Sequence, residues 1–199
     1  MEFLDLKAQQ KRIRKPLEKR INKILDHGAY IMGPEVFELE EKLADYCGVK
    51  HAISCSSGTD ALLIPLMAWG LGPGDAVFTT PFTYVATAEV ISILGATPIF
   101  VDVYESTYNI DCEKLETEIN KVINEGRLKP KAIIPVDLFG LPARYRLIDK
   151  IAKKYNLKVI EDAAQSFGGS IRNKKVGTFG DIAATSFYPA KPLGCYGDV

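Results

Sequence analysis

The sequence has few of the side chains that bind metal ions. It contains two histidines, His27 and His51, and its four cysteines form no Cys-x-x-Cys pair: Cys47, Cys55, Cys112 and Cys195. Structural zinc sites and thioredoxin-like redox sites need such pairs, or cysteine and histidine at short spacing. We therefore expect no metal site, and we interpret the cysteines as reduced thiols of a cytoplasmic protein.

The sequence also lacks an excess of charge and any long apolar run. Lysine and arginine together number 25, as do aspartate and glutamate, so nothing favours a nucleic-acid surface. No run approaches the roughly 20 apolar residues of a membrane span, and the charged start of the chain is unlike a secretory signal. No Pro- or Gly-rich linker interrupts the chain, so we expect no domain boundary within it.

What the sequence does contain is an ordered alternation of helix and strand patterns. Apolar residues at helical spacing predict a helix over 7–27 that Gly28 ends, and a second helix that starts at Pro34 and ends before Gly48. Short β-branched or apolar runs then alternate with helical segments, and they predict strands over 51–55, 76–80, 97–103, 131–138, 158–163 and 181–187. Such alternation is typical of a three-layer α/β/α fold with a mostly parallel sheet.

In a parallel sheet of this kind, ligands bind at the carboxyl ends of the strands. The first predicted strand is followed by Ser57, Gly58 and Thr59, a small turn that leads into a helix. The free N–H groups of a helix N-terminus can hold a phosphate. A plain helix N-cap by Ser57 or Thr59 is the commoner role of such a turn, and both interpretations stay open at this point.

Later strands end in further side chains of chemical interest. Phe82 and Tyr84 follow one strand and could stack on a planar ligand, although aromatic residues at such junctions more often pack in the core. Asp162 and Gln165 lie at the end of another predicted strand, where a carboxylate often caps a turn. Two more candidates belong to the last predicted strand: Ser186 lies at its end, and Lys191 follows it.

The combination of these residues is more specific than any one of them. A phosphate site, a ring-stacking aromatic, an acid for a ring nitrogen and a lysine that forms a covalent link are the needs of pyridoxal phosphate. The sequence offers all four at predicted strand ends. No Gly-x-Gly-x-x-Gly follows the first predicted strand, which disfavours a plain dinucleotide-binding module.

The sequence resembles the DegT-type nucleotide-sugar aminotransferases, which depend on pyridoxal phosphate and have the aspartate-aminotransferase fold (fold type I). Segments along the whole chain carry the resemblance: "FLDLKAQQ", "GAYIMGPEVFELEEKLADYCGVKHAISCSSGTDAL", "TTPFTYVATAEVISILGATPIFVDV", "IIPVDLFG", "VIEDAAQSFG" and "TSFYPAKPLGCYGD". Three motifs, "YIMGPEV", "TYVATAE" and "KPLGCYGD", are most similar to aminotransferases that act on a UDP-linked 3-oxo-N-acetylglucosaminuronic acid.

The resemblance implies a role for each candidate residue. Lys191 matches the lysine that binds the cofactor covalently and acts as general base, and Asp162 matches the carboxylate paired with the pyridine nitrogen. Gln165 matches the neighbour of the cofactor's 3-hydroxyl, and Tyr84 the aromatic over the ring, with Phe82 as the weaker candidate. The phosphate ligands would be Ser57, Gly58, Thr59 and Ser186.

The resemblance further implies an aminotransferase that moves an amino group from an amino acid, with glutamate as the expected donor, to a keto sugar nucleotide. We expect a cytoplasmic homodimer with shared active sites that serves surface-polysaccharide or amino-sugar biosynthesis and contacts neither nucleic acid nor membrane. Val199 stands where the family has a glycine, and the family continues for about as many residues again, with a small C-terminal domain. We therefore interpret residues 1–199 as the N-terminal segment and most of the large cofactor-binding domain, either as a piece of a longer protein or as a truncated gene product, and expect this chain alone to be inactive or poorly folded.

Two other functions remain open at the level of sequence. Some proteins of the same fold are sugar dehydratases, but they carry histidine in place of the lysine, and Lys191 argues against them. A non-catalytic regulator that binds pyridoxal phosphate is the alternative from a different class, and the presence of both Asp162 and Lys191 disfavours it.

Overall fold

The structure is a computed structural model and describes residues 5–197. The chain divides into two compact units between Ser54 and Cys55, whereas the sequence predicts no boundary. No helix among residues 5–197 is both long and apolar enough to cross a membrane.

The first unit contains two helices whose ends follow the predicted signals. Helix α1 spans Leu6–His27, and Gly28 ends it in the left-handed conformation with φ of 68°. Helix α2 spans Pro34–Cys47, and its first residue is the proline that favours a first helical turn. Glu35 of α2 forms an ion pair with Lys23 at 2.9 Å and a hydrogen bond with the His27 ring at 3.2 Å, and these contacts join the two helices.

The second unit is built on a five-stranded sheet in which every strand pair is parallel. Its strands are β1 (Asp75–Thr79), β2 (Thr97–Phe100), β3 (Lys129–Ile134), β4 (Lys158–Asp162) and β7 (Ile182–Ala184), in the spatial order β2-β1-β3-β4-β7. The two remaining short strands, β5 (Ser170–Ile171) and β6 (Lys174–Lys175), form a separate antiparallel hairpin.

Helices cover both faces of this sheet. They are α3 (Gly58–Ala68), α4 (Ala86–Ile93), α5 (Cys112–Glu125) and α6 (Tyr145–Tyr155), and a short 3₁₀ helix spans Leu138–Gly140. Successive strand residues point to opposite faces, so that Phe78 packs with α5 and α6 in one core and Val77 packs with α3 and α4 in the other. The predicted three-layer fold with a parallel sheet is confirmed.

One predicted strand is absent from the structure. Residues 51–55 form no strand, and no described strand pairs with them. The N–H of Ser54 donates instead to the Glu40 side chain at 2.7 Å, and Ile53 is 86% exposed. A strand needs a neighbouring strand to receive its backbone hydrogen bonds, and the apolar pattern of this segment could not reveal that it has none.

Candidate active site

Asp162 is the centre of the candidate site, because it is the last residue of β4 and only 5% exposed. The hydroxyl of Thr87, in α4, donates to its Oδ2 at 2.8 Å, and the N–H of Ala164 donates to its Oδ1 at 3.3 Å. Burial raises the pKa of the Asp162 carboxyl, while these two hydrogen bonds and the positive charge of Lys191 act in the opposite direction. A cation placed beside this carboxyl would favour its ionised form.

Lys191 lies in a tight loop that follows β7. The N–H of Cys195 donates to the Phe187 carbonyl at 2.7 Å and closes the loop, and the N–H of Lys191 donates to the Tyr188 carbonyl at 2.8 Å. A Cβ at Gly194 would lie 2.4 Å from the Pro189 carbonyl oxygen, so only glycine fits at that position. The positive charge of Lys191 lowers the pKa of the Asp162 carboxyl, so the predicted lysine and the predicted acid interact electrostatically.

The predicted phosphate site lies at the N-terminus of α3. Ser57 caps this helix, since its hydroxyl oxygen accepts from the N–H of Asp60 at 3.1 Å, and Gly58 and Thr59 form the first turn. The Ser57 hydroxyl therefore caps the helix, which is one of the two roles that the sequence left open for this turn. The first N–H groups of any helix have no partner within it, so those of Gly58 and Thr59 are available to an anion.

Ser186 borders the same helix end. A Cβ added to Gly58 would lie 2.7 Å from Cβ and 3.2 Å from Oγ of Ser186. A larger residue at position 58 would therefore clash with Ser186, and glycine allows the start of α3 to approach Ser186 closely. The structure thus brings together the two parts of the predicted phosphate site. Next to Ser186, the hydroxyl oxygen of Thr185 is buried and has no hydrogen-bond partner among the described residues, an arrangement that suits a polar ligand.

The two aromatic candidates have different surroundings. Phe82 belongs to an exposed three-ring cluster, with its ring centroid 5.3 Å from that of Tyr108 and 6.2 Å from that of Phe139. Tyr84 is 67% exposed, and no ring among the described residues contacts it. Tyr84 also accepts, through its carbonyl, the N–H of Thr87 at 3.2 Å, which places it on the same turn as the residue that binds Asp162. The arrangement favours Tyr84 over Phe82 as the ring that stacks on a ligand.

Gln165 follows Asp162 in the turn after β4. Its Oε1 accepts the N–H of Phe139 at 2.8 Å. Because a backbone N–H can only donate, the amide oxygen must face Phe139, and the amide nitrogen is the end that remains for a ligand.

Sequence reasoning missed two buried polar residues of this region, Thr87 and Asp137. Asp137 is fully buried, and its N–H donates to the carbonyl of Asp162 at 3.0 Å. Asp137 follows the apolar run "AIIPV" as Asp162 follows "VIE". Both aspartates therefore lie at the carboxyl end of an apolar strand pattern, which is the criterion by which Asp162 was proposed. Thr87 lies inside a helix, where sequence alone gives no sign that its hydroxyl meets a carboxylate from a distant strand.

The site suits pyridoxal phosphate. The charge of Lys191 acts on the buried carboxylate of Asp162. The N-terminus of α3 contacts Ser186 at Gly58, and the exposed ring of Tyr84 lies near Asp162 on the turn that leads into α4. The buried Thr185 hydroxyl without a partner adds a polar atom next to the anion-binding segment. These are the groups that would hold the ring nitrogen, the aldehyde carbon, the phosphate and the ring face.

Comparison with known proteins gives consistent matches along the chain. The DegT/DnrJ/EryC1/StrS aminotransferase family matches residues 11–199. A curated relative from Pseudomonas aeruginosa, UDP-2-acetamido-2-deoxy-3-oxo-D-glucuronate aminotransferase, is 53% identical over 198 residues, which cover 100% of this chain and 53% of the relative. The chain spans about half the length of the curated relatives it matches.

Solved structures agree in fold. A DegT DnrJ EryC1 StrS aminotransferase from Brucella abortus superposes with a TM-score of 0.98 at 57% identity, covering 100% of this chain and 53% of that one. NtdA from Bacillus subtilis, solved with bound cofactor PMP, superposes with a TM-score of 0.81 at 34% identity, covering 92% of this chain and 40% of that one.

Proposed function

Because the chain belongs to the DegT/DnrJ/EryC1/StrS aminotransferase family, as its motifs predict, we propose that the protein of which it forms part is a sugar aminotransferase dependent on pyridoxal phosphate. The observation that carries the proposal is the buried Asp162 carboxylate, which the Thr87 hydroxyl contacts at 2.8 Å and whose pKa the charge of Lys191 lowers. When bound, pyridoxal phosphate supplies a carbonyl that takes up the amino group and a ring that accepts an electron pair. Pyridoxal phosphate, the cofactor that the sequence predicts, is also the cofactor of this family.

Lys191 and Asp162 divide the acid–base work between them. With the cofactor bound, the Lys191 amine would be the base that takes the proton from the Cα of the amino donor. Asp162 would hold a proton on the ring nitrogen of the bound cofactor, and the hydrogen bonds from Thr87 and Ala164 keep its carboxylate oriented in the buried site. Over the whole reaction the donor would exchange its amino group for a carbonyl oxygen and leave as a 2-oxo acid, and the keto sugar would then exchange its carbonyl oxygen for that amino group.

The other predicted residues bind and orient the cofactor in this proposal. Tyr84 would cover one face of the ring, and the amide nitrogen of Gln165 would donate to the ring's 3-oxygen. The phosphate is held by the end of α3 and the segment beside it, through Ser57, Gly58, Thr59 and Ser186. The contact between Gly58 and Ser186 supports this assignment, because both sides of the proposed phosphate site already meet.

The substrate we propose is UDP-3-oxo-N-acetylglucosaminuronic acid, with glutamate as the amino donor. The motifs "YIMGPEV", "TYVATAE" and "KPLGCYGD" support this choice, as does the name of the Pseudomonas aeruginosa relative. The product would be a UDP-linked 3-amino sugar for surface-polysaccharide or amino-sugar biosynthesis.

We place the enzyme in the cytoplasm as a homodimer whose subunits share the active sites. The three-ring cluster of Phe82, Tyr108 and Phe139 supports an assembly, because each ring is about half exposed or more. Exposed apolar patches often mark binding surfaces.

The experiment that tests the function follows the absorbance of the full-length protein with bound cofactor. Glutamate alone should abolish the band of the covalently bound cofactor, and the UDP-linked 3-oxo sugar should then restore it while an amino sugar forms. A regulator without activity would keep its band after glutamate. A dehydratase would turn over the sugar without consuming an amino donor in stoichiometric amount, and either result would overturn the proposal.

A further inference from the structure

Asp137 is a buried carboxylate that the proposed chemistry does not use. It follows β3 and is 0% exposed. Its Oδ1 accepts the N–H of Ala143 at 2.9 Å and the hydroxyl of Tyr145 at 2.7 Å, while its Oδ2 accepts the hydroxyl of Ser166 at 2.9 Å. The carboxylate therefore connects the start of α6 with the turn that follows β4.

The bond from Ser166 fixes the turn that carries Gln165. Ser166 is the next residue in the chain, and its N–H also donates to the Ala163 carbonyl at 3.0 Å. Asp137 itself is tied to the same strand, because its N–H donates to the Asp162 carbonyl at 3.0 Å. The position of Gln165 thus depends on a side chain that it does not touch.

The segment 138–143 holds the tip of the Gln165 side chain. Phe139 has a left-handed backbone, with φ of 55° and ψ of 21°, and in this conformation its N–H reaches Gln165 Oε1. Asn109 holds the segment in place, since its side chain accepts the N–H of Leu138 at 3.3 Å and donates to the Leu141 carbonyl at 3.0 Å. A left-handed phenylalanine is uncommon and persists only where its surroundings enforce it.

We propose that Asp137 is a positioning residue, which holds the turn of Ser166 and the segment 138–143 together so that Gln165 keeps its amide nitrogen available to the cofactor. The chemical part of this role rests on the proposed function, in which that nitrogen donates to the 3-oxygen of the ring. Asp137 acts through Ser166 and through the segment 138–143, and it does not contact the cofactor.

Burying the Asp137 carboxylate has a cost in free energy. Burial raises the pKa of Asp137 to about 7, and the charge of Glu161 acts in the same direction. Hydrogen bonds from Ala143, Tyr145 and Ser166 compensate this cost only in part. A carboxylate has several acceptor sites and can therefore orient three donors at once, those of Ala143, Tyr145 and Ser166.

Two variants separate positioning from stability, because each removes one donor to the same carboxylate. Ser166→Ala removes the bond on the side of Gln165, and Tyr145→Phe removes the bond on the side of α6 while keeping the ring that stacks on Phe179 at 4.8 Å. Both should lower the melting temperature of the full-length protein to a similar degree. Only a positioning role predicts that their effects on Gln165 differ.

The first readout needs no cofactor. In the apoprotein, Ser166→Ala should speed hydrogen exchange at the Phe139 amide by roughly fivefold, the effect of one lost hydrogen bond. Tyr145→Phe should leave that exchange rate unchanged. Equal rates in the two variants, or faster exchange in Tyr145→Phe alone, would overturn the positioning role whether or not the protein binds pyridoxal phosphate.

The second readout uses the enzyme with bound cofactor. Ser166→Ala should weaken cofactor binding roughly fivefold and shift the pH midpoint of the cofactor absorbance, and Tyr145→Phe should do neither. Gln165→Glu, which keeps an acceptor for Phe139 but has no amide nitrogen, should shift the midpoint in the same direction. If the wild-type protein binds no cofactor, the proposed function fails, and the hydrogen-exchange data alone decide the positioning role. If Gln165→Glu has the same pH midpoint of cofactor absorbance as wild type, the amide nitrogen of Gln165 does not donate to the cofactor.

Discussion

The hydroxyl of Thr87 donates a hydrogen bond of 2.8 Å to the carboxylate of Asp162, although 75 residues separate the two in sequence. Thr87 also exchanges a hydrogen bond of 2.9 Å with Thr83, so a short chain of hydroxyls ends on the buried acid. The contact joins α4, next to Tyr84, to the end of β4. It helps to keep ionised the group that we assign to the cofactor's ring nitrogen.

Replacing Thr87 with valine should weaken cofactor binding. Valine has nearly the shape of threonine but cannot donate, so the Asp162 carboxylate loses one of the hydrogen bonds that lower its pKa. A hydrogen bond to a charged group contributes about 2 kcal/mol, and we expect a dissociation constant for pyridoxal phosphate roughly thirtyfold higher than in wild type. Titration of the full-length apoprotein with the cofactor, followed by absorbance, measures this change.

Thr83→Val is the matched control. It removes a hydroxyl from the same short chain but leaves the bond between Thr87 and Asp162 intact. We expect its dissociation constant to stay close to that of wild type. Equal losses in the two variants would show that the contact with Asp162 has no special part in binding.

Asp137 should make the stability of the protein depend on pH. Its pKa is raised from 3.8 to about 7 in the folded protein. The folded state therefore binds a proton more tightly than the unfolded state, and the free energy of unfolding should fall as pH rises through the window between these values. Three units of pKa correspond to a contribution of up to about 4 kcal/mol.

Asp137→Asn removes this titration and keeps an oxygen for Ala143 and Tyr145. Urea unfolding of wild type and variant should be measured from about pH 4 to about pH 8. Glu161 and Asp162 also have raised pKa values, so only the difference between the two proteins isolates Asp137. The stability of wild type relative to the variant should decrease across the window; parallel curves would contradict a raised pKa at Asp137.

Much of the fold could be predicted because its signals are local. Gly28 and Gly48 end helices, Pro34 begins one, and the apolar run before Asp162 predicts a strand buried on both faces. The segment 51–55 has a similar apolar pattern but forms no strand, because pairing depends on a neighbour that lies elsewhere in the chain.

The candidate site shows the same division between local and long-range information. Asp162 and Lys191 could be proposed from their positions after strands, and the structure brings them within electrostatic range. The bonds from Thr87 to Asp162 and from Phe139 to Gln165 could not be predicted, because each joins residues far apart in sequence. Asp137 could have been proposed by the rule that selected Asp162.

The most direct test of the account is to identify the lysine that carries the cofactor. The full-length protein should be incubated with pyridoxal phosphate, reduced with borohydride, digested and mapped by mass spectrometry, beside Lys191→Ala and the control Lys150→Ala, which alters an exposed lysine of α6. We predict the cofactor adduct on Lys191 in wild type and in Lys150→Ala, and no adduct in Lys191→Ala. An adduct on another lysine of wild type, or a stoichiometric adduct in Lys191→Ala, would contradict the account.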